Sequence, residues 1–141
     1  MGTTEGPGGD FASRLGVRTG AVVQEFGYDS DVDQDLREQI EDLIDADLVD
    51  EDYDGVVDLV VCWWREGDGD LGDMLVDTLA VLADEGAVVL LTPKAGHDLH
   101  VEPSEIEEAS QAVGLHAMRT LNASQIWSAT RLGQTKGARR A

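Results

Sequence analysis

Apolar positions along the chain switch between two periods. "AVVQEF" (21–26) and "GVVDLVVCWW" (55–64) are compact runs rich in β-branched and aromatic residues, the composition of strands. "AVVLLTP" (87–93) is a third run, stopped by Pro93, which has no N–H to give to a sheet ladder. The second and third runs are apolar almost throughout, as in strands of a parallel sheet covered on both faces. Between them the period lengthens. Leu36, Ile40, Leu43 and Ile44 recur at helical spacing and predict a helix over 33–45, with aspartates at its start where the helix dipole favours negative charge. Asp70 can cap a second helix carrying Leu71, Met74, Leu75, Leu79 and Leu82 on one side, with Gly86 closing it. Ser104 and Glu107 have the spacing of a capping box for a third helix, with Ile106, Ala109 and Val113 facing inward. "HAMRTL" (116–121) and "QIWSATRL" (125–132) are two more strands, joined by so short a link that they must form an antiparallel hairpin.

The order β-α-β-α-β-α-β-β predicts an α/β fold: a three-layer Rossmann-like sandwich with a mostly parallel sheet of about five strands and a C-terminal antiparallel hairpin. Right-handed crossovers are expected to set the strands side by side. The 141 residues suit a single domain with one core, expected over 11–133. Residues 1–10 are expected to be a disordered tail, and 134–141, "QTKGARRA", a basic one.

In an open parallel sheet, ligands bind beyond the carboxyl ends of the strands. That edge holds Gly27, Tyr28 and Asp29 after the first strand, Trp63, Trp64 and Arg65 after the second, and Thr92 and Lys94 after the third. These residues are the candidate rim for a ligand or partner. Adjacent strand residues face opposite ways, so one tryptophan faces each helical layer unless one swings into the rim. They serve either as lids on the core or as a stacking surface for a ligand. Lys94 could hold an anionic ligand, but a solvent-exposed lysine there needs no ligand to explain it.

Charge narrows the partners. Asp and Glu number 29 against 10 Lys and Arg, a net charge of -19. That disfavours nucleic acid, whose phosphates call for Lys and Arg, and an anionic membrane surface for the same reason. It favours a protein partner with a basic surface, for which the acidic first helix offers a docking face. No apolar stretch approaches the roughly 20 residues of a membrane helix, and "MGTTEGPGGD" lacks the regions of a signal peptide, so the expected location is cytoplasmic. The single cysteine, Cys62, lies in an apolar run, where the residue packs as a small hydrophobe. "DSDVDQD" (29–35) alternates aspartates like a calcium loop, but Gln34 and Ile40 stand where such a loop needs Gly and Glu. "HDLHVE" offers His97, His100 and Glu102 in a loop with no helical frame. No metal is expected. No nucleophile elbow, Walker loop or GxGxxG occurs, and no catalytic residue is assigned.

"DLVVCWW", a helix, "GAVVLLTPK" and a closing hairpin together resemble the C-terminal half of class I S-adenosylmethionine-dependent methyltransferases, where such a hairpin is a hallmark. In that family the first strand carries an acidic residue and then glycines at alternate positions, where bare backbone approaches the cofactor. In "EFGYDSD", Glu25 and Gly27 match, while Asp29 and Asp31 stand where the next two glycines should be. The aspartates add side chain and charge there, though Asp29 could pair with the cofactor's amino group. Between the first helix and "DLVVCWW" there is no room for the two strands that supply the ribose and adenine contacts. "CWW" does not match the Asn/Asp-Pro-Pro-Tyr loop of amino-methylating members, and Asp58 at the strand start is structural. From about residue 12 to 133, the stretches "LGVRTGAVVQEFGYDSDVDQDLREQIEDL", "LVDEDYDGVVDLVVCWWREGDGDL" and "LLTPKAG" are similar to the actinobacterial domain of unknown function family 3052. The second resemblance implies an actinobacterial cytosolic protein and carries no activity, and the departures from the methyltransferase pattern lead to the expectation of a methyltransferase-like scaffold without catalysis or cofactor, serving as a binding or regulatory module. The alternative is a small methyltransferase that takes S-adenosylmethionine in an atypical pocket.

Overall fold

Strands and helices alternate along the chain as β1 (Val23–Phe26), α1 (Gln34–Ile44), β2 (Val57–Trp63), α2 (Leu71–Val81), β3 (Leu82–Pro93), α3 (Pro103–Ala112), β4 (Leu115–Asn122) and β5 (Trp127–Gln134). The computed structural model describes residues 14–134. The expected N-terminal tail lies outside them, as does the C-terminal one apart from Gln134, which belongs to β5.

One sheet runs through the molecule in the order β1-β2-β3-β5-β4. β1, β2 and β3 are parallel, and β5 is antiparallel to both β3 and β4. The fold is the three-layer α/β sandwich that the alternating pattern predicts. The strands are not all laid side by side in chain order. The hairpin folds back so that β5, not β4, pairs with β3 from Ala87↔Gly133 to Pro93↔Trp127. β4 is left as the outer edge, with most of its residues exposed.

Strand alternation divides the core in two. Leu59, Val61 and Trp63 of β2 pack with Leu36, Ile40 and Ile44 of α1 and with Leu15. Val60, Cys62 and Trp64 pack on the other face with Leu71 and Leu75 of α2 and Ile106 of α3. One tryptophan thus serves each layer, as the period of two requires.

Local chemistry sets the helix ends. Asp33 caps α1, its side chain accepting from the Leu36 N–H at 3.2 Å, and Asp70 caps α2 through the Asp73 N–H at 3.0 Å. Two sequence expectations are corrected. α3 does not use a Ser104–Glu107 capping box: Pro103 occupies the first turn, Glu102 is the cap residue, and no side chain bonds there. Proline has no N–H to leave orphaned and its φ is preset for a helix, so the helix starts one residue before Ser104 can cap it. Gly86 does not close α2. Leu82 is already extended (φ -78, ψ 140), and Gly86 lies inside β3. A Cβ on Gly86 would sit 2.8 Å from Leu82 Cδ2 and 3.0 Å from the Asp58 carbonyl, so glycine here permits a close approach of chains beside the irregular Val57–Leu59 register.

The free edge of β1 is met by a single parallel bridge. The Glu25 N–H donates to the Val49 carbonyl at 2.9 Å and the Val49 N–H to the Val23 carbonyl at 3.0 Å. The Gln24 side-chain amide donates to the Asp50 and Tyr53 carbonyls, pinning the same segment. Asp58 ties the opposite end, accepting from the Val22 N–H at 2.8 Å.

Trp63 and Trp64 are 1% and 4% exposed. Trp63→Ala and Trp64→Ala are each expected to lower unfolding free energy by about 3–5 kcal/mol in urea titrations. An unchanged midpoint for either would mean that residue is not a core member.

Candidate functional site

Gly27 turns the chain at the carboxyl end of β1 with φ 78, in the left-handed region that glycine tolerates. A side chain at this position would overlap the Trp63 carbonyl oxygen of β2. Both polar groups of the Gly27 backbone are taken by side chains. Its N–H donates to Glu51 Oε2 at 2.9 Å, and its carbonyl accepts from Arg65 Nη1 at 3.0 Å.

Arg65 follows the end of β2 and is only 7% exposed. Its guanidinium forks onto Asp31, Nε to Oδ2 at 3.0 Å and Nη2 to Oδ1 at 2.5 Å. Nη1 also donates to the Trp63 carbonyl at 3.2 Å and to Asp68 Oδ2 at 3.3 Å. The same group lies over the Trp127 ring, 5.5 Å from its centre. The hydrogen bond from Arg65 holds the Asp31 carboxyl below its ordinary value of 3.8, and the bond to Asp31 raises Arg65 in turn.

Glu25, buried on β1, forms a second charged node. It accepts from Arg37 Nε at 2.7 Å, from Arg37 Nη2 at 2.9 Å and from the Trp63 indole N–H at 2.9 Å. Arg37 rises above its ordinary value, chiefly through this bond. Its guanidinium covers Tyr28 at 4.9 Å, and the Tyr28 hydroxyl accepts from Gln34 Nε2 at 3.0 Å. Trp63 meets Trp127 edge to face, ring centres 5.0 Å apart.

The candidate rim therefore separates into parts. Gly27, Trp63 and Arg65 converge at the β1–β2 corner, and Tyr28 joins them through Arg37. Asp29 is exposed and accepts from the Ser30 N–H at 2.7 Å, holding a local turn. Trp64 fills the opposite layer. Thr92 and Lys94 belong to a separate cleft of about 320 Å³ between α3 and the β3–β5–β4 face. There Lys94 donates to Asn122 Oδ1. Glu51, Arg37, Trp127 and the pairing of Asp31 with Arg65 were not singled out from the sequence. The one available signal was a glutamate inside the apolar run "AVVQEF", which demands a buried cation or donor.

His100 lines the same cleft. A carbonyl can only accept, so His100 Nδ1–H donates to the Pro93 carbonyl at 2.9 Å. His100 Nε2 lies 3.9 Å from Glu102. Among the described residues no three His, Cys, Asp or Glu side chains gather as metal ligands, and no helix is long and apolar enough to cross a membrane.

A family model described as Protein of unknown function (DUF3052) matches residues 12–136. The chain belongs to that family. Its relatives include uncharacterized protein Rv2239c of Mycobacterium tuberculosis, 44% identical over 127 residues, which span 90% of this chain and 80% of the relative. Uncharacterized protein Mb2263c of Mycobacterium bovis matches with the same figures. Among solved structures, a SAM-dependent methyltransferase from Aquifex aeolicus superposes with a TM-score of 0.60 at 10% identity, over 92% of this chain and 90% of that one. The magnesium protoporphyrin IX methyltransferase of Synechocystis PCC 6803 with bound SAM superposes at 0.56 and 13% identity, over 90% and 76%. At such identities the likeness is one of fold, and the fold is that of Rossmann-like methyltransferases.

Two measurements check this geometry. Because the Asp31 pKa is lower in the folded chain, its contribution to stability is present above the ordinary carboxylate value of 3.8 and is lost as pH falls through the lowered one. Urea midpoints should therefore fall more steeply with acidification in the parent chain than in Asp31→Asn, and equal slopes would refute the pairing. Burial pushes the Cys62 thiol up to about 12, so Ellman's reagent at about pH 8 should label no thiol in the native chain and one after unfolding. Rapid native labelling would contradict the burial.

Proposed function

We propose that this chain is a non-catalytic binding or regulatory module on a methyltransferase-like scaffold. The observation that carries this is the state of Gly27, whose N–H and carbonyl are engaged by Glu51 and Arg65 of the same chain. The fold family implies S-adenosylmethionine, and the residues present do not fit it. That cofactor needs the bare Gly27 backbone and the crevice beside it; a buried arginine held by Asp31 closes the crevice on the Gly27 carbonyl side, and the recess of about 350 Å³ left beside Glu25, Tyr28 and Arg37 is walled by Asp50, Glu51 and Asp52. Asp31 itself stands where the methyltransferase pattern has a glycine. Glu25, the matching acidic position, is committed to Arg37 and Trp63. Opening the site would strand the Arg65 charge away from its acceptors, which is costly for a buried cation.

The surplus of acid, 29 carboxylate residues against 10 Lys and Arg, supports a partner with a basic surface, met in the cytoplasm. Isothermal titration calorimetry with S-adenosylmethionine tests the central point. The expected outcome is no saturable heat. A dissociation constant below about 1 mM would overturn the closed-crevice reading and restore that of a small methyltransferase with an atypical pocket.

A further inference from the structure

The corner at the end of β3 is built unlike the one that Arg65 closes. Strand register sets Thr92 opposite Ser128, and Thr130 opposite both Leu90 and Thr120. Directly opposed residues share a face of the sheet. These hydroxyls therefore form one patch on the α3 side, continuing the buried row of Val88, Leu90 and Leu132. α3 does not press onto the patch. The cleft of about 320 Å³ lies between them, with Val101 and Ile106 on its other wall. That volume is at the low end of small-molecule sites, roughly 300–1,000 Å³.

Thr92 and Thr130 are 3% and 6% exposed, and both line the cleft. Neither hydroxyl is a buried orphan of the kind that Gln24 Oε1 and Gln39 Oε1 are, so both face the open cleft, where a bound molecule can take them in place of solvent. Charge of each sign borders the cleft, Lys94 from the sheet side and Glu107 from the helix side. The Lys94 ammonium spends one donor on Asn122 and has two more. A ligand of net negative charge would enter against the field of a chain carrying -19, whereas a zwitterion carries no net charge.

The geometry points to a small zwitterion of the amino-acid class as the occupant of this cleft. Its carboxylate meets Lys94 and the hydroxyls of Thr92 and Thr130, its ammonium meets Glu107, and a short apolar side chain lies against Val101 and Ile106. The assignment rests on the reading of the chain as a binding module, but it uses a site separate from the crevice that Arg65 closes.

The test is a ¹H–¹⁵N NMR titration of the full chain with L-leucine. 4-Methylpentanoate and 3-methylbutylamine, each carrying only one of the two charges, serve as comparison probes. Leucine is expected to produce saturable shifts centred on the amides of Thr92, Lys94, Thr120, Ser128 and Thr130, and each comparison probe to bind at least about tenfold more weakly. Thr130→Val, which removes a cleft-facing hydroxyl, should weaken leucine about tenfold while leaving the urea midpoint unchanged or higher. No saturable shift by about 10 mM leucine, shifts elsewhere, or undiminished binding by Thr130→Val would each overturn the site. Equal binding of either singly charged probe would overturn the zwitterion assignment. S-adenosylmethionine titrated in parallel separates the two proposals: shifts at Gly27 to Asp31 would overturn the closed crevice and leave the cleft standing.

Discussion

The upper end of the sheet is organised by one buried cation. The Arg65 guanidinium distributes its donors among the Asp31 carboxylate, the Gly27 and Trp63 carbonyls and Asp68. An arginine at this depth is tolerable only while those acceptors stay in place. The constraint runs outward from there. Gly27 must keep its left-handed turn, because any side chain would strike the Trp63 carbonyl. The loop after β1 must bring Asp31 back over β2. Trp127, from the far end of the chain, supplies the aromatic surface beneath the guanidinium and the edge contact to Trp63. Strands distant in sequence are thereby tied together by charge-assisted bonds at the place where this architecture ordinarily opens.

Glu25 shows the same economy. A carboxylate inside a buried strand requires donors, and it receives them from Arg37 of α1 and the Trp63 indole. Arg37 in turn fixes Tyr28 and Gln34. Two charged nodes therefore flank Trp63, one through its ring nitrogen and one through its carbonyl. Trp63 joins the layers of a closed corner and offers no face to a ligand there. At the far side of the rim the balance is reversed. The β3–β5–β4 surface ends in hydroxyls, and α3 leaves room above them.

The shortened sheet gives this closure its setting. β1 is only four residues long and forms the edge, with the Val49 segment bridging it where further strands would pair. Asp50 and Glu51 follow directly, so the segment that blunts the edge also delivers the carboxylate that takes the Gly27 N–H. An unpaired strand edge and an exposed glycine loop are both handled by one short stretch of chain.

Much of this was legible in the residues. The apolar runs at 55–64 and 87–93, the helical stripe of Leu36, Ile40 and Ile44, and the short link in the hairpin determine the layers and the parallel strands, because local period and strand length depend on neighbours in sequence. The alternation rule also determined that Trp63 and Trp64 face opposite layers. Three things required the tertiary structure. Gly86 looks like a helix stop, but the close packing of Leu82 and Asp58 against it decides its place in β3. Arg65 looks like the first residue of a polar loop, and only the return of Asp31 and Trp127 over it makes it a buried plug. Thr120, Ser128 and Thr130 are unremarkable in the sequence, and join the rim residue Thr92 in one patch only because β5 inserts antiparallel between β3 and β4. Period is a property of neighbours along the chain, whereas pairing of charges and register of strands belong to residues far apart in it, and those are set when the chain closes on itself.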